Sequence, residues 1–286
     1  MNHLIQRLPA GLYFVATPIG SARDITLRAL DVLASADVIA AEDTRSMRRL
    51  LEIHGVALGD RPLLSYHDHS GARTREKLLG FLSAGKAVAY ASEAGTPLIA
   101  DPGYHLSKEA AEAGHLVTSA PGPSAIITAL TLAGLPTDAF FFGGFLPNAK
   151  GARRTSLEAL RDVPGTLVFY ESPRRVAEML KDAARVMGDD RQAAVCRELT
   201  KKFEEVRRGT LSDLASELDG VNVKGEIVVL IDRAAPREIS DEDLTEALTE
   251  ALKSMSVRDA ADGVAKAFGA HKRKVYQMAL KIAGNS

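Results

Sequence analysis

Short apolar runs alternate with amphipathic segments of helical length along most of this chain, and that alternation predicts its architecture. Leu12 to Ala16 is a continuous apolar run, the pattern of a strand buried on both faces, and Thr26 to Leu33 follows with helical spacing. Val38 to Ala41, Pro62 to Tyr66, Ala87 to Ala91 and Leu116 to Ser119 repeat the strand pattern. Helical segments over Ser46–Ile53, Arg73–Leu82 and Tyr104–Ala113 separate them. Strands joined by helices require crossover connections, so the first part is α/β with a mostly parallel sheet.

The pattern changes after Ser119. Ala125 to Leu132 reads as a helix, and Phe140-Phe-Phe142 opens a second series. Strands are predicted at Thr166–Tyr170, Ala193–Cys196, Phe203–Arg208 and Glu226–Ile231, with helices at Arg175–Val186 and Leu211–Leu218. Too few residues lie between Ala193–Cys196 and Phe203–Arg208 for a crossover, so that pair is expected to be antiparallel and the second sheet mixed. Ala234-Ala-Pro236 marks a boundary, beyond which the chain is helical. The expected organisation is two α/β domains, residues 1–120 and 121–235, and a helical module over 236–286.

Composition narrows the class. Of 286 residues, 46% are hydrophobic and 26% charged, the balance of a globular protein with a sizeable core. The lone Cys196 has no disulfide partner, and no Cys/His cluster offers a structural zinc site. Met1 to Pro9 lacks the apolar run of a signal peptide, and no later segment reaches the length of a membrane span. A soluble cytoplasmic protein is expected. The net charge of −1 makes the whole molecule no magnet for nucleic acid, but its distribution is uneven. From Gly263 onward Lys266, Lys272, Arg273, Lys274 and Lys281 stand without an acidic neighbour, whereas Ile239 to Asp262 is acidic. The basic end reads either as a solvated helix face or as an RNA-docking surface.

No phosphate-binding loop of the P-loop or dinucleotide type follows any strand, and no nucleophile elbow or zinc-protease motif is present. Gly and Pro instead gather where strands end, at Thr17-Pro-Ile-Gly20, Ser92-Glu-Ala-Gly-Thr-Pro97 and Pro121-Gly-Pro-Ser-Ala125. Ligands of open α/β sheets bind at that edge. Such loops can expose bare main-chain groups to an uncharged or zwitterionic ligand. Each alone reads as an ordinary strand-to-helix turn; three at one edge point to a cleft.

These loops, in this order, resemble those of the tetrapyrrole-methylase superfamily, in its RsmI branch. The resemblance also rests on Asp24-Ile-Thr26, Ala41-Glu-Asp-Thr-Arg45, Tyr66-His-Asp-His69, Asp101-Pro-Gly-Tyr104, Gly144-Phe-Leu-Pro147, Phe169-Tyr-Glu-Ser172 and Arg197-Glu-Leu-Thr-Lys201. It implies two α/β domains with S-adenosylmethionine in the cleft between them, a homodimer, and methyl transfer to the 2′-hydroxyl of a cytidine in the decoding region of 16S rRNA. The partner would be 16S rRNA or the 30S subunit, with no membrane. It further implies that Ala94, Gly95, Thr96 and Pro97 contact the methionine part of the cofactor. Pro18, Ser124 and Ala125 would line the same site, with Tyr170 and Gly225-Glu-Ile227 over the adenosine. The small C-terminal helical module would dock RNA through Lys272, Arg273 and Lys274. Two positions depart from the family pattern: Glu93 stands where Asp is usual, and Ser21 where Asn is usual.

Transfer to a ribose hydroxyl calls for in-line placement of the acceptor and for help in losing its proton. Three clusters qualify. Glu42-Asp43-Thr44-Arg45 offers two carboxylates beside a cation, or equally a helix N-cap. His67-Asp68-His69 offers two imidazoles and a carboxylate for a base or an RNA contact, and no metal is expected there. Lys201 could polarise the hydroxyl, bind phosphate, or form a surface ion pair. Glu171 and Arg174 are further cleft candidates. The expected division has Glu42, Asp43, His67 and Asp68 handling the ribose while Arg45, Arg174 and Lys201 bind phosphate. Competing chemistries are a methylase of corrin or siroheme precursors, a diphthine-forming enzyme, and a catalytically silent RNA-binding protein; the segments at Ala41–Arg45, Tyr66–His69 and Arg197–Lys201 favour the ribosomal branch.

Overall fold

The computed structural model describes residues 3–67, 71–234 and 240–284. Its first sheet is built from β1 (Gly11–Val15), β2 (Val38–Ala41), β3 (Leu63–Ser65), β4 (Ala87–Ala91) and β5 (Val117–Ala120). All pair in parallel, in the order β3-β2-β4-β1-β5. The period of two divides each strand between two cores. Tyr13, Val15, Ile39, Ala41, Ala87 and Ala89 face α1 (Leu27–Ser35) and α2 (Thr44–Ile53). Leu12, Phe14, Val38, Ala40, Val88 and Tyr90 face α3 (Gly71–Ser83) and α4 (Tyr104–Glu112). Because every crossover is a helix, all strand C-termini and the loops that follow them lie along one edge.

The second sheet is mixed, as expected. It comprises β6 (Phe140–Phe145), β7 (Thr166–Glu171), β8 (Gln192–Arg197), β9 (Glu205–Thr210) and β10 (Ile227–Ile231), in the order β6-β7-β10-β8-β9. β6 and β7 are parallel, whereas β10 runs antiparallel to both β7 and β8, and β8 and β9 form the antiparallel pair the short connection required. One face packs on α6 (Lys150–Leu160), α7 (Val176–Met187) and α8 (Leu211–Leu218). The other face receives α5 (Ala125–Ala133) together with Ile19 from the first sheet's leading loop.

Two elements differ from the sequence reading. β9 begins at Glu205 rather than Phe203; its Glu-Val-Arg-Arg-Gly-Thr sequence carries little apolar signal because it is an edge strand. The helix α6 went unrecognised because its buried face includes Arg153, only 4% exposed, whose charge breaks the hydrophobic period. Arg153 is tolerated there because Asp182 of α7 meets it at 2.6 Å and meets Arg154 at 2.7 Å.

The chain divides into units Met1–Ala234 and Ala235–Ser286. The second consists of α9 (Asp241–Ala251), α10 (Val257–Phe268) and α11 (Lys272–Gly284). Leu244, Leu248, Ala261, Val264, Val275 and Ala279 form a core of its own. Ser240 and Ser256 cap α9 and α10, and Gly269 in the left-handed region ends α10. No helix among the described residues is long and apolar enough to cross a membrane.

Candidate active site

The three Gly/Pro loops do meet at the sheet edge, and they bond to one another. The Thr17 amide donates to the Gly95 carbonyl at 2.9 Å, and the Gly95 amide donates back to the Thr17 carbonyl at 3.0 Å. The Ser92 hydroxyl also donates to the Gly95 carbonyl (2.8 Å), and the Thr96 hydroxyl to the Pro123 carbonyl (2.9 Å). Gly95 has φ +83°, and a side chain there would also crowd Ile19. The main-chain groups expected to be bare at Gly95 are therefore engaged between loops, so the loops form one rigid rim.

Behind that rim lies a cavity of about 360 Å³ between the two sheets. Ile19, Ala94, Ala125, Leu199, Ile227 and Val228 supply apolar walls, Phe145 and Tyr170 aromatic ones, and Asp101, Glu171 and Glu226 carboxylates. The Tyr170 ring meets Phe142 and Phe145 edge to face. Burial, then the negative charge of Asp101 and Glu226, pushes its phenol up to about 12, so it stays neutral near neutral pH. Glu171 is 4% exposed; burial raises its carboxyl, opposed by the Ser172 amide at 2.7 Å and by Arg175. Arg175 also donates to the Leu146 carbonyl (2.8 Å) and to Asn148, tying the β6 and β7 ends together.

The second sheet reaches the rim through the turn after β8. Glu198 and Thr200 there have φ of +51° and +63°, unusual for residues other than glycine. Lys201 holds the turn, its ammonium 2.8 Å from Glu198 and 2.9 Å from Glu226. The Ser21 amide donates to the Thr200 hydroxyl at 3.2 Å, so the position that departs from the family pattern contributes a main-chain contact across the cleft.

Two further hollows are bounded in part by the loops at this edge. One, of about 410 Å³, is bounded by Pro18, Gly20, Arg45, Arg49 and Glu93. The other, of about 260 Å³, is bounded by Tyr66, His67, Arg75, Asp101, Tyr104 and His105, and shares Asp101 with the cavity.

The residues expected at the site are thus distributed. Ala94, Ala125 and Tyr170 line the cavity, and so do Gly225, Glu226 and Ile227. Gly95, Thr96 and Ser124 belong to the rim, with Ser124 the N-cap position of α5; Pro97 is buried beside them. Pro18 faces the Arg45 hollow. Asp43 caps α2 by accepting from the Arg45 amide at 2.7 Å, which holds its carboxyl below the usual range, and it pairs with the Arg45 side chain. Glu42 accepts from the Glu93 amide at 3.4 Å. His67 lies in the smaller hollow, while Asp68 falls outside the described residues. Arg174 is exposed next to the cavity-lining Pro173. In the helical unit, Lys272 pairs with Asp262 and Lys274 with Asp241, and Arg273 is exposed between them. Sequence reading missed Ile19, Asp101, Phe145 and Leu199 as cavity residues. Asp101 and Phe145 lie inside motifs already singled out, but nothing in a linear pattern says which motif residue turns inward.

The chain's likeness to known proteins agrees with this geometry. Residues 11–215 match the family model of Tetrapyrrole (Corrin/Porphyrin) Methylases, and residues 238–283 match the RsmI C-terminal HTH domain. Ribosomal RNA small subunit methyltransferase I of Mesorhizobium japonicum is 46% identical over 98% of this chain and 94% of its own length. The protein of the same name from Vibrio cholerae is 41% identical over 96% and 95%. Among solved structures, the cobalt precorrin-4 methyltransferase CbiF superposes with a TM-score of 0.60 at 17% identity, over 77% of this chain and 94% of that one. A Thermus thermophilus uroporphyrin-III C-methyltransferase, complexed with S-adenyl homocysteine, superposes with a TM-score of 0.54 at 18% identity over 78% and 98%. The chain belongs to the tetrapyrrole methylase family, whose methyl donor is S-adenosylmethionine, and within it to the branch named ribosomal RNA small subunit methyltransferase I.

Proposed function

We propose that this protein transfers a methyl group from S-adenosylmethionine to the 2′-hydroxyl of a cytidine in the decoding region of 16S rRNA. The observation that carries the reading is the likeness to ribosomal RNA small subunit methyltransferase I over 98% of the chain, helical unit included.

The cavity suits the cofactor chemically. A purine needs flat apolar contact, which Phe145, Tyr170, Ile227 and Val228 offer, and a sulfonium and an ammonium need negative surroundings, which Asp101 and Glu226 offer. Bound there, S-adenosylmethionine supplies an electrophilic methyl group, and the remaining work falls to the protein. The mutually bonded rim fixes the cavity mouth, so an acceptor is positioned without reorganisation. Arg45 and Arg49, with side chains 91% and 74% exposed, present guanidiniums to phosphate beside Pro18 and Glu93. Glu42, His67 and Asp68 are the groups assigned to the acceptor hydroxyl. Lys201 and Asp43 are assigned to positioning, since each is held in charge-assisted bonds within its own turn or cap. Arg174 and the Lys272–Lys274 segment are assigned to RNA phosphates, and the active form to a homodimer.

The test is methyl transfer from radiolabelled S-adenosylmethionine to 30S subunits and to free 16S rRNA, with the product ribose mapped by mass spectrometry. Label on one cytidine 2′-oxygen is expected. Label on a base, or on neither substrate, would overturn the reading. Light scattering in solution is expected to return the mass of a dimer.

A further inference from the structure

The cavity and the smaller hollow share a lining residue, Asp101. The turn that follows is braced from below. The buried Tyr90 hydroxyl donates to the Pro102 carbonyl at 3.0 Å. Gly103 has φ +127°, and a Cβ there would stand 3.1 Å from the Tyr90 ring. Tyr90 is itself wedged edge to face between Phe14 and Tyr66. The brace sets the start of α4 rigidly, and its first residue, Tyr104, emerges 63% exposed at the lip of the hollow, its ring 5.3 Å from that of His105.

We propose that this hollow seats the nucleobase of the acceptor nucleotide and that Tyr104 is the platform on which the base stacks. The proposal rests on the RNA-methyltransferase reading above and adds the subsite that reading lacks. A nucleotide that leaves the RNA stack to bring its ribose hydroxyl to a methyl donor inside the cavity has an unstacked base, which then needs a new partner. Proteins supply that partner with aromatic rings, which serve any base through its π-face, together with polar groups that read its edge. Tyr104 gives the ring; His67, Arg75, His105 and Asp101 give polar groups on the same walls. A base held here leaves its own ribose on the Asp101 side, next to the cavity.

The experiment compares Tyr104→Ala, Tyr104→Phe and Tyr104→Trp in the full chain, with 30S subunits as substrate and calorimetric S-adenosylmethionine binding as the check on folding. Tyr104→Ala is expected to raise KM for 30S subunits about ten-fold or more while cofactor affinity stays within two-fold, and Tyr104→Phe to restore KM. The natural chain has no tryptophan, so Tyr104→Trp places a single indole at the platform, and saturating 16S rRNA should quench its selectively excited fluorescence. An unchanged KM in Tyr104→Ala, a Tyr104→Phe variant as impaired as Tyr104→Ala, or indole fluorescence in Tyr104→Trp that is blind to saturating RNA overturns the platform. Failure of the natural enzyme to methylate any ribosomal RNA overturns the parent reading instead, and the platform with it.

Discussion

Gly20 packs against Lys201 so closely that a Cβ on the glycine would stand 2.5 Å from the lysine Cγ, and 2.6 Å from the Thr200 hydroxyl oxygen. The loop after β1 and the turn after β8 therefore approach each other through the one side chain that leaves room. The cavity walls Ile19 and Leu199 are the immediate neighbours of this contact. Gly20→Ala should push the two sheets' loops apart and widen the cofactor cavity. The expected result is S-adenosylmethionine affinity weakened by about ten-fold, a loss of roughly 1.4 kcal/mol, with only a small fall in Tm. Calorimetric titration beside thermal denaturation checks it.

Lys201 ties Glu198 and Glu226 into the same contact, and its contribution depends on pH. The Lys201 hydrogen bond holds the Glu198 carboxyl below its ordinary 4.5, so that stabilisation is present above pH 4.5 and disappears as pH falls through the lowered value. For Lys201, burial works against the charge, but the bonds to Glu198 and Glu226 outweigh it and hold the ammonium above its ordinary 10.5. That part is present below pH 10.5 and lost as pH rises through the raised value. Lys201→Met should cost about 1 kcal/mol or less for each partly exposed pair, across the window from about pH 5 to 10. The gap between denaturant melts of the two proteins should shrink as pH falls through the lowered Glu198 value and as it rises through the raised Lys201 value; a constant gap across the range would contradict the pairing.

Asp182 is 1% exposed and bridges Arg153 and Arg154, while the buried Glu171 also feels the Arg153 charge. Burial raises its pKa, but the hydrogen bonds of Arg154 and Arg153 outweigh that and hold it below the usual carboxylate value. Asp182→Asn removes the direct ion-pair partner of the buried Arg153 and should destabilise the second sheet's helical layer by roughly 3–5 kcal/mol. Urea unfolding at neutral pH measures this. The difference should shrink as pH falls through the lowered Asp182 value, where the natural protein also loses the charge.

The helical unit has its own core and caps, so it can be removed without opening the cofactor cavity, every lining residue of which precedes Ala234. Removing residues 240–286 should weaken 16S rRNA binding by at least about ten-fold and leave S-adenosylmethionine affinity unchanged. Within the unit, Arg273→Ala should lower the slope of log affinity against log salt by about one. Equal loss of RNA and cofactor binding on truncation would assign the unit to folding instead.

Much of this was legible without coordinates, for identifiable reasons. Parallel strands buried on both faces leave continuous apolar runs, which is why β1, β2 and β4 were found nearly residue for residue. The brevity of the β8–β9 connection dictated an antiparallel pair. Gly and Pro at strand ends marked the edge where the cavity opens. What failed did so where tertiary partners override local pattern: α6 was hidden because Arg153 is neutralised by a residue 29 positions away, and only the bounds of β9 were shifted, from Phe203–Arg208 to Glu205–Thr210, because an edge strand needs little apolar surface.

The chain by itself determined the α/β alternation, the helical end and the family, since these rest on periodicity and on motifs read in order. Only the tertiary structure decided which motif residues face the cavity. It turned Asp101 and Phe145 toward the cavity, spent Gly95's amide and carbonyl on Thr17, engaged Asp43 as a cap, and set β10 between β7 and β8. Side-chain direction and hydrogen-bond partnership are settled by what arrives from distant positions, and no local pattern carries that information.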